Sequence, residues 1–267
     1  MEYSLGPLEA ELVFTLERDS RTVFTVDDAR GLLDASDEVL WKLLHRLTLK
    51  GRIQRIKRGF YVLVPAKAGY LPKWREQVYA MIDDLLDDYY LGYWTAMNHW
   101  HMTEQLPLTA FIATTSRRRD FVYDDAVPIN FITLKPRKFF GWTTEEAGSH
   151  RFRVSDPEKT VVDSMDLPQY SGGMAEAAKT LSHDLDWSKV IEYADRQGNR
   201  TVHKRLGYLI ELKGADVPSD ALKQLRSRIS SGYSWLDPTA PHKALRHDSR
   251  WNLKINLPHE ALEEHQT

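Results

Sequence analysis

The sequence predicts an α+β protein in which an N-terminal winged helix-turn-helix is followed by a larger domain of mixed α/β structure. Three observations lead there. Apolar residues recur at helical spacing over residues 7–50, a basic stretch RIQRIKRGFYVLV with a single glycine follows at 52–64, and apolar runs that read as strands precede a long helical stretch beyond residue 75. A chain of 267 residues, 42% hydrophobic and 28% charged, can bury a sizeable core and is long enough for two domains.

The elements follow in order. Leu8, Leu12, Val13 and Leu16 lie behind Pro7, which suits a first turn, and predict a helix over 7–18. The β-prone TVFT comes next. Thr25 with Asp28 three residues on has the pattern of a capping box, and Val26, Ala29, Leu32 and Leu33 then give a second short helix its apolar face. Ser36 reads as the N-cap of a third helix, DEVLWKLLHRLTLKG. Its acids fall in the first turn, Leu40, Leu43, Leu44 and Leu47 share one face, Lys50 closes the last turn and Gly51 stops it. Lys42, His45 and Arg46 fall on the opposite face.

The hairpin turns at Gly59 and leaves two registers open. A three-residue loop would pair Ile56 with Phe60 and Arg55 with Tyr61, whereas a two-residue Arg58-Gly59 loop shifts the pairing by one. Ile53 and Ile56 cannot share a face without a bulge.

Charge is segregated along the chain. Residues 1–38 carry 3 Lys/Arg and 10 Asp/Glu, residues 39–75 carry 10 and none, and the rest carry 23 and 28, so a formal net charge of −2 conceals a local basic field. Two helices, the second with a basic outer face, followed by a basic hairpin suit double-stranded DNA. On the helix Lys42 and Arg46, with His45 on the same DNA-binding face, are placed to reach guanine edges in the major groove, and Arg52, Arg55, Lys57 and Arg58 to reach phosphates or an adjacent minor groove. The competing readings are a solvated basic surface and a winged helix that docks protein.

The winged helix is assigned to residues 1–65, the linker to 66–74 within PAKAGYLPKW, and the second domain to 75–267. The second domain is expected to hold a helix from about 74 to 87, strands at TAFIATT and INFITLK, helical structure over about 156–230, and a strictly alternating strand at RWNLKINLP with Trp251, Leu253, Ile255 and Leu257 on one side. Gly172-Gly173 opens the helix that begins MAEAAKTL. Without an apolar run near 18 residues or a start like a signal peptide, a cytoplasmic location is expected and no membrane partner. The absence of cysteine excludes disulfides, thiol catalysis and Cys-ligated zinc.

Candidate catalytic groups do not assemble. His99, His101 and Glu104 suggest a metal, but on a helix positions two apart diverge, so one ion would not take both histidines. DDLLDD at 83–88 reads as the solvated side of a helix with Val78, Met81 and Leu85 inside. In DPEKTVVDSMD, Asp156 reads as an N-cap, with Glu158, Asp163 and Asp166 favouring the helix dipole. Arg117, Arg118, Arg119, Arg137 and Lys138 read as solvated loop cations or an extension of the DNA surface. No nucleophile elbow, phosphate-binding glycine loop or HExxH motif is present. No catalytic residue, metal or cofactor is expected; the rival is a metal-dependent enzyme in the second domain, resting on Asp83, Asp87 or Asp163.

Five blocks in order, KGRIQRIKRGFYVLVP, YYLGYWTAMNHW with TEQLP, SDPEKTVVDSMDLPQYSGG, HKRLGYLIEL and RWNLKINLP, resemble the AbiEi antitoxin family of type IV toxin-antitoxin and abortive-infection systems, over roughly residues 5–258. The resemblance implies a repressor that binds inverted repeats in its own operon, with cooperative self-association on DNA, and a C-terminal domain needed for antitoxicity. It further implies a nucleotidyltransferase-like toxin as functional partner, without a stable complex. Winged-helix regulators that lack a toxin share the first domain and supply the alternative.

Overall fold

In the computed structural model, residues 4–64, 73–123, 127–147 and 150–263 are described, apart from the side chains of 57, 73–77, 80, 147, 150 and 263. The chain forms two compact units, one of Met1–Asp87, Asp120–Ile129 and Glu145–Phe152, the other of Asp88–Arg119, Asn130–Thr144 and Arg153–Thr267. Residues 66–72 of the expected linker lie outside the described residues.

The first unit opens with α1 (Pro7–Arg18), β1 (Val23–Thr25), α2 (Val26–Leu32), α3 (Asp37–Leu49), β2 (Ile53–Lys57) and β3 (Phe60–Leu63). Local chemistry fixes each boundary. In α1 the Gly6 N–H donates to Glu9 Oε2 at 2.8 Å. The Thr25–Asp28 box is complete, with the Thr25 N–H donating to Asp28 Oδ2 at 2.7 Å and the Asp28 N–H to Thr25 Oγ1 at 3.0 Å. Ser36 is the N-cap residue of α3 but makes no side-chain cap bond. Gly51, at φ +65°, takes the left-handed conformation that ends the helix. Leu12, Leu16, Phe24, Leu40, Leu43 and Leu47 meet in one apolar core.

The small sheet has the order β1-β3-β2, and its register answers the question left open by the sequence. Ile53 pairs with Leu63, Arg55 with Tyr61 and Lys57 with Phe60, with a bulge between Arg55 and Lys57. The turn is therefore Arg58-Gly59, with Gly59 at φ +80°, and of the three-residue alternative the Arg55–Tyr61 pair forms while the Ile56–Phe60 pair does not. Ile56 is the extra residue, which lets Ile53 stay buried while Ile56 is half-exposed. The order helix, strand, two helices, hairpin is a winged helix-turn-helix. The same unit holds α4 (Lys73–Leu85), where Val78, Met81 and Ile82 are buried while Leu85 is only half-buried.

The remaining strands are β4 (Tyr90–Leu91), β5 (Ala110–Thr114), β6 (Phe121–Tyr123), β7 (Val127–Thr133), β8 (Trp142–Ala147) and β9 (His150–Ser155), in the order β6-β7-β5-β4-β9-β8. The apolar runs at β5 and β7 were expected; WTTEEA and HRFRVS were not, because polar residues mask their strand character. The second unit adds α5 (Tyr93–His99), α6 (Pro157–Asp166), α7 (Met174–Ala177), α8 (Trp187–Gln197), α9 (Arg200–Lys213) and α10 (Ser219–Arg228). Gly173, at φ +89°, is the N-cap of α7.

A three-stranded sheet of β10 (Ser234–Trp235), β11 (Arg246–Asp248) and β12 (Leu253–Ile255) precedes α11 (His259–Glu263). RWNLKINLP supplies only the three residues of β12, since Asn252 is left-handed at φ 52°. Trp251, Leu253 and Ile255 are nonetheless buried. Among the described residues, no helix is long and apolar enough to cross a membrane.

Candidate nucleic-acid interface

The basic window of the sequence becomes the outer face of α3 and the β2–β3 wing. Burying Leu40, Leu43, Leu44 and Leu47 turns Lys42, His45 and Arg46 outward, all exposed. On the wing, Arg55 and Arg58 are exposed; the side chain of Lys57 lies outside the described residues. Tyr61, stacked on Phe24 with ring centroids 5.7 Å apart, anchors the wing's base in the core.

The acid-rich first 38 residues and the basic window, separate in sequence, meet in space. Glu9, whose side chain is 3% exposed, receives Arg46 Nε at 3.0 Å and Lys50 Nζ at 2.6 Å. Burial opposes ionisation of Glu9, yet Lys50, the Gly6 N–H and Arg46 outweigh it and hold the carboxyl below its ordinary value. Arg52 Nη2 reaches Glu17 at 3.2 Å, and Lys42 pairs with Glu38 at 2.6 Å one turn away. Among the described residues, no ion pair engages Arg55 or Arg58.

These cations differ in what they can offer a phosphate. The Lys42–Glu38 pair is exposed on both sides and of little strength, so Lys42 can leave it. Arg46 spends Nε on Glu9, while its side chain stays 56% exposed. Lys50 and Arg52 are more deeply set and brace α1. Glu9 escaped the sequence reading, and Lys50 was read only as closing α3 and not as its partner, although a Glu three residues behind a helix start was a capping signal. The exposed Trp41 also escaped it, although it stands one position off the leucine stripe.

Elsewhere, several expectations are corrected. His101 is not on the helix, because α5 ends at His99 and His101 is left-handed at φ 58°. Asp156 caps α6 as expected, its side chain accepting the Lys159 N–H at 2.8 Å. Asp163 and Asp166 do not serve the helix dipole: they lie in the later turns of α6, in a buried polar network. Lys159 and Asp163 are both fully buried and ion-paired. Tyr90 donates to Asp163 Oδ2 at 2.9 Å, and Gln197 Nε2 to Asp166 Oδ2 at 2.7 Å. Burial lowers the ammonium of Lys159 and raises the carboxyl of Asp163. Lys138 is no solvated loop cation, since it pairs with the buried Asp166. Arg117 and Arg119 are exposed outside helix and strand, as expected. Among the described residues no cluster of His, Asp or Glu is arranged to hold a metal ion.

A helix-turn-helix with an outward basic face and a basic wing defines the fold class, a winged helix-turn-helix. Residues 11–64 match the family described as "Transcriptional regulator, AbiEi antitoxin". The match runs from within α1 to the end of the wing and covers all but the last residue of the first of the five blocks. The crystal structure of the RV2827C protein from Mycobacterium tuberculosis is similar at a TM-score of 0.69 and 13% identity, covering 96% of this chain and 94% of that one. This likeness extends the shared fold to both units. No curated protein matches the sequence.

Proposed function

We propose that this chain is a transcriptional repressor that binds double-stranded DNA and serves as the antitoxin of a type IV toxin-antitoxin system. It autoregulates its operon by binding inverted repeats, loading cooperatively at paired half-sites. α3 enters the major groove with Lys42, His45 and Arg46 toward base edges, while Arg55, Lys57 and Arg58 of the wing, with Arg52 at its base, face phosphates. The observation that carries this reading is that the longest acid-free window of the sequence supplies the outward face of α3 and the wing of a winged helix, both inside residues 11–64, which match the regulator family.

The second unit is non-enzymatic in this reading and needs no cofactor; the enclosure of Lys159 and Asp163 in their own ion pair supports that assignment. The functional partner is a nucleotidyltransferase-like toxin, opposed without a stable complex, in the cytoplasm. A stand-alone regulator is the second reading, favoured by the match ending at residue 64.

The test pairs a repression reporter with a toxin-rescue assay. Replacing Arg55, Lys57 and Arg58 together by Glu swings the wing by six charge units and opposes phosphate approach. Repression is expected to be lost while rescue from an unrelated promoter persists, after circular dichroism has shown a folded variant. Retained repression overturns the assignment of the wing. Absence of rescue by the wild-type protein favours the stand-alone regulator.

A further inference from the structure

α3 carries an apolar group that its own packing leaves unused. Trp41 stands outside the Leu40, Leu43, Leu44, Leu47 stripe and is 49% exposed. Tryptophan carries a large apolar surface, and leaving half of it in water on a regular helix contributes nothing to the core. Its neighbours on the outer face are polar: Lys42 beside it, paired with Glu38, and His45 one turn on. The other exposed apolar side chains of α3, Val39 and Leu49, lie about 160° and 80° round the helix from it, so the indole is not part of the contiguous apolar area that a protein-docking patch would need.

The major groove offers one apolar group on its base edges, the 5-methyl of thymine. That methyl lies at the margin of the groove, beside the backbone of its own strand. At 100° per residue, Trp41 lies about 70° round the helix from the line bisecting Lys42 and His45. A side chain at that angle faces the groove margin when Lys42 and His45 face its floor. We propose that Trp41 is a specificity-determining residue whose indole packs against the 5-methyl group of a thymine in each half-site. The inference rests on the DNA-binding reading above and deepens it.

The test uses the duplex immediately upstream of this chain's own reading frame, and copies in which each thymine is replaced singly by deoxyuridine, which removes only the methyl. For the wild-type protein, at least one replacement in a half-site weakens binding about fourfold, as expected for one buried methyl. Trp41→Ala binds the thymine duplex more weakly than wild type does and loses the distinction between thymine and uracil. Its salt dependence stays that of wild type, because no phosphate contact is removed. Since Trp41 is exposed, the variant folds, and its circular dichroism checks this.

The outcomes separate the inference from the reading beneath it. Wild-type protein that binds the duplex with a steep salt response but is indifferent to every thymine replacement overturns the methyl contact alone. So does a Trp41→Ala variant that still discriminates as wild type does. Wild-type protein that does not bind the duplex overturns both.

Discussion

Glu9→Gln removes one charge and almost no volume from the most tightly held carboxylate of the winged helix. Glu9 accepts from the Gly6 N–H, Arg46 and Lys50, and so ties the start of α1 to the end of α3. Breaking a buried ion pair costs about 3–5 kcal/mol when the surviving charge stays buried. Here the surviving cations are 56% and 28% exposed and can rehydrate, which reduces the expected loss to about 2–3 kcal/mol. Hydrogen exchange of peptides spanning α1 and α3, measured by mass spectrometry on the full chain, reads this as opening about 30- to 150-fold more frequent.

The pH dependence has a definite sign. Glu9 has its folded pKa held below the ordinary 4.5, so its stabilisation is complete above that value and is lost as pH falls through the folded one. The gap between wild type and variant should therefore be full at pH 7 and shrink below about pH 4.5, after correction for intrinsic exchange. Equal protection at pH 7, or an undiminished gap at pH 3, refutes the role given to Glu9.

Three further outcomes are expected. Lys42→Ala should alter preference among DNA sequences, whereas Arg55→Ala should weaken all sequences alike, as competition binding on operator and scrambled duplexes reads out. Gly207→Ala on α9 sets a helix-propensity gain of about 1 kcal/mol against a Cβ that would stand 2.1 Å from the buried ring of Trp251. The clash wins, and urea denaturation should show the second unit destabilised by about 1–2 kcal/mol net. Lys159→Met strands the buried carboxylate of Asp163 at a cost of about 3–5 kcal/mol, and adding Asp163→Leu should recover most of it; a double variant no better than the single one refutes the pairing.

The winged helix was legible because each of its elements is punctuated locally. Pro7, the Thr25–Asp28 box, Gly51 and Gly59 fix boundaries within a few residues, and the leucine stripe of α3 fixes its inner face. The wing register was legible only as two alternatives, since the bulge at Ile56 depends on how Ile53 seats in the core. Charge segregation located the basic window but not the acids that meet it, because the contacts of Glu9 with Arg46 and Lys50 span 37 and 41 residues.

The second unit was harder for a related reason. β8 and β9 alternate weakly, and the role of Asp163 follows from partners on β4 and α8 that no local pattern links to it. His101 was placed on a helix because nothing in YWTAMNHWHM marks its end, which is set by the left-handed turn at His101 itself.

Salt titration of binding to the chain's own upstream duplex tests the central claim most directly. If the α3 face and the wing bring about four to six cations to phosphates, log affinity falls against log salt with a slope of about −4 to −5, and Arg55→Ala reduces that slope by about 1. A flat salt response, or a slope that Arg55→Ala leaves unchanged, would contradict the assignment of this surface to DNA.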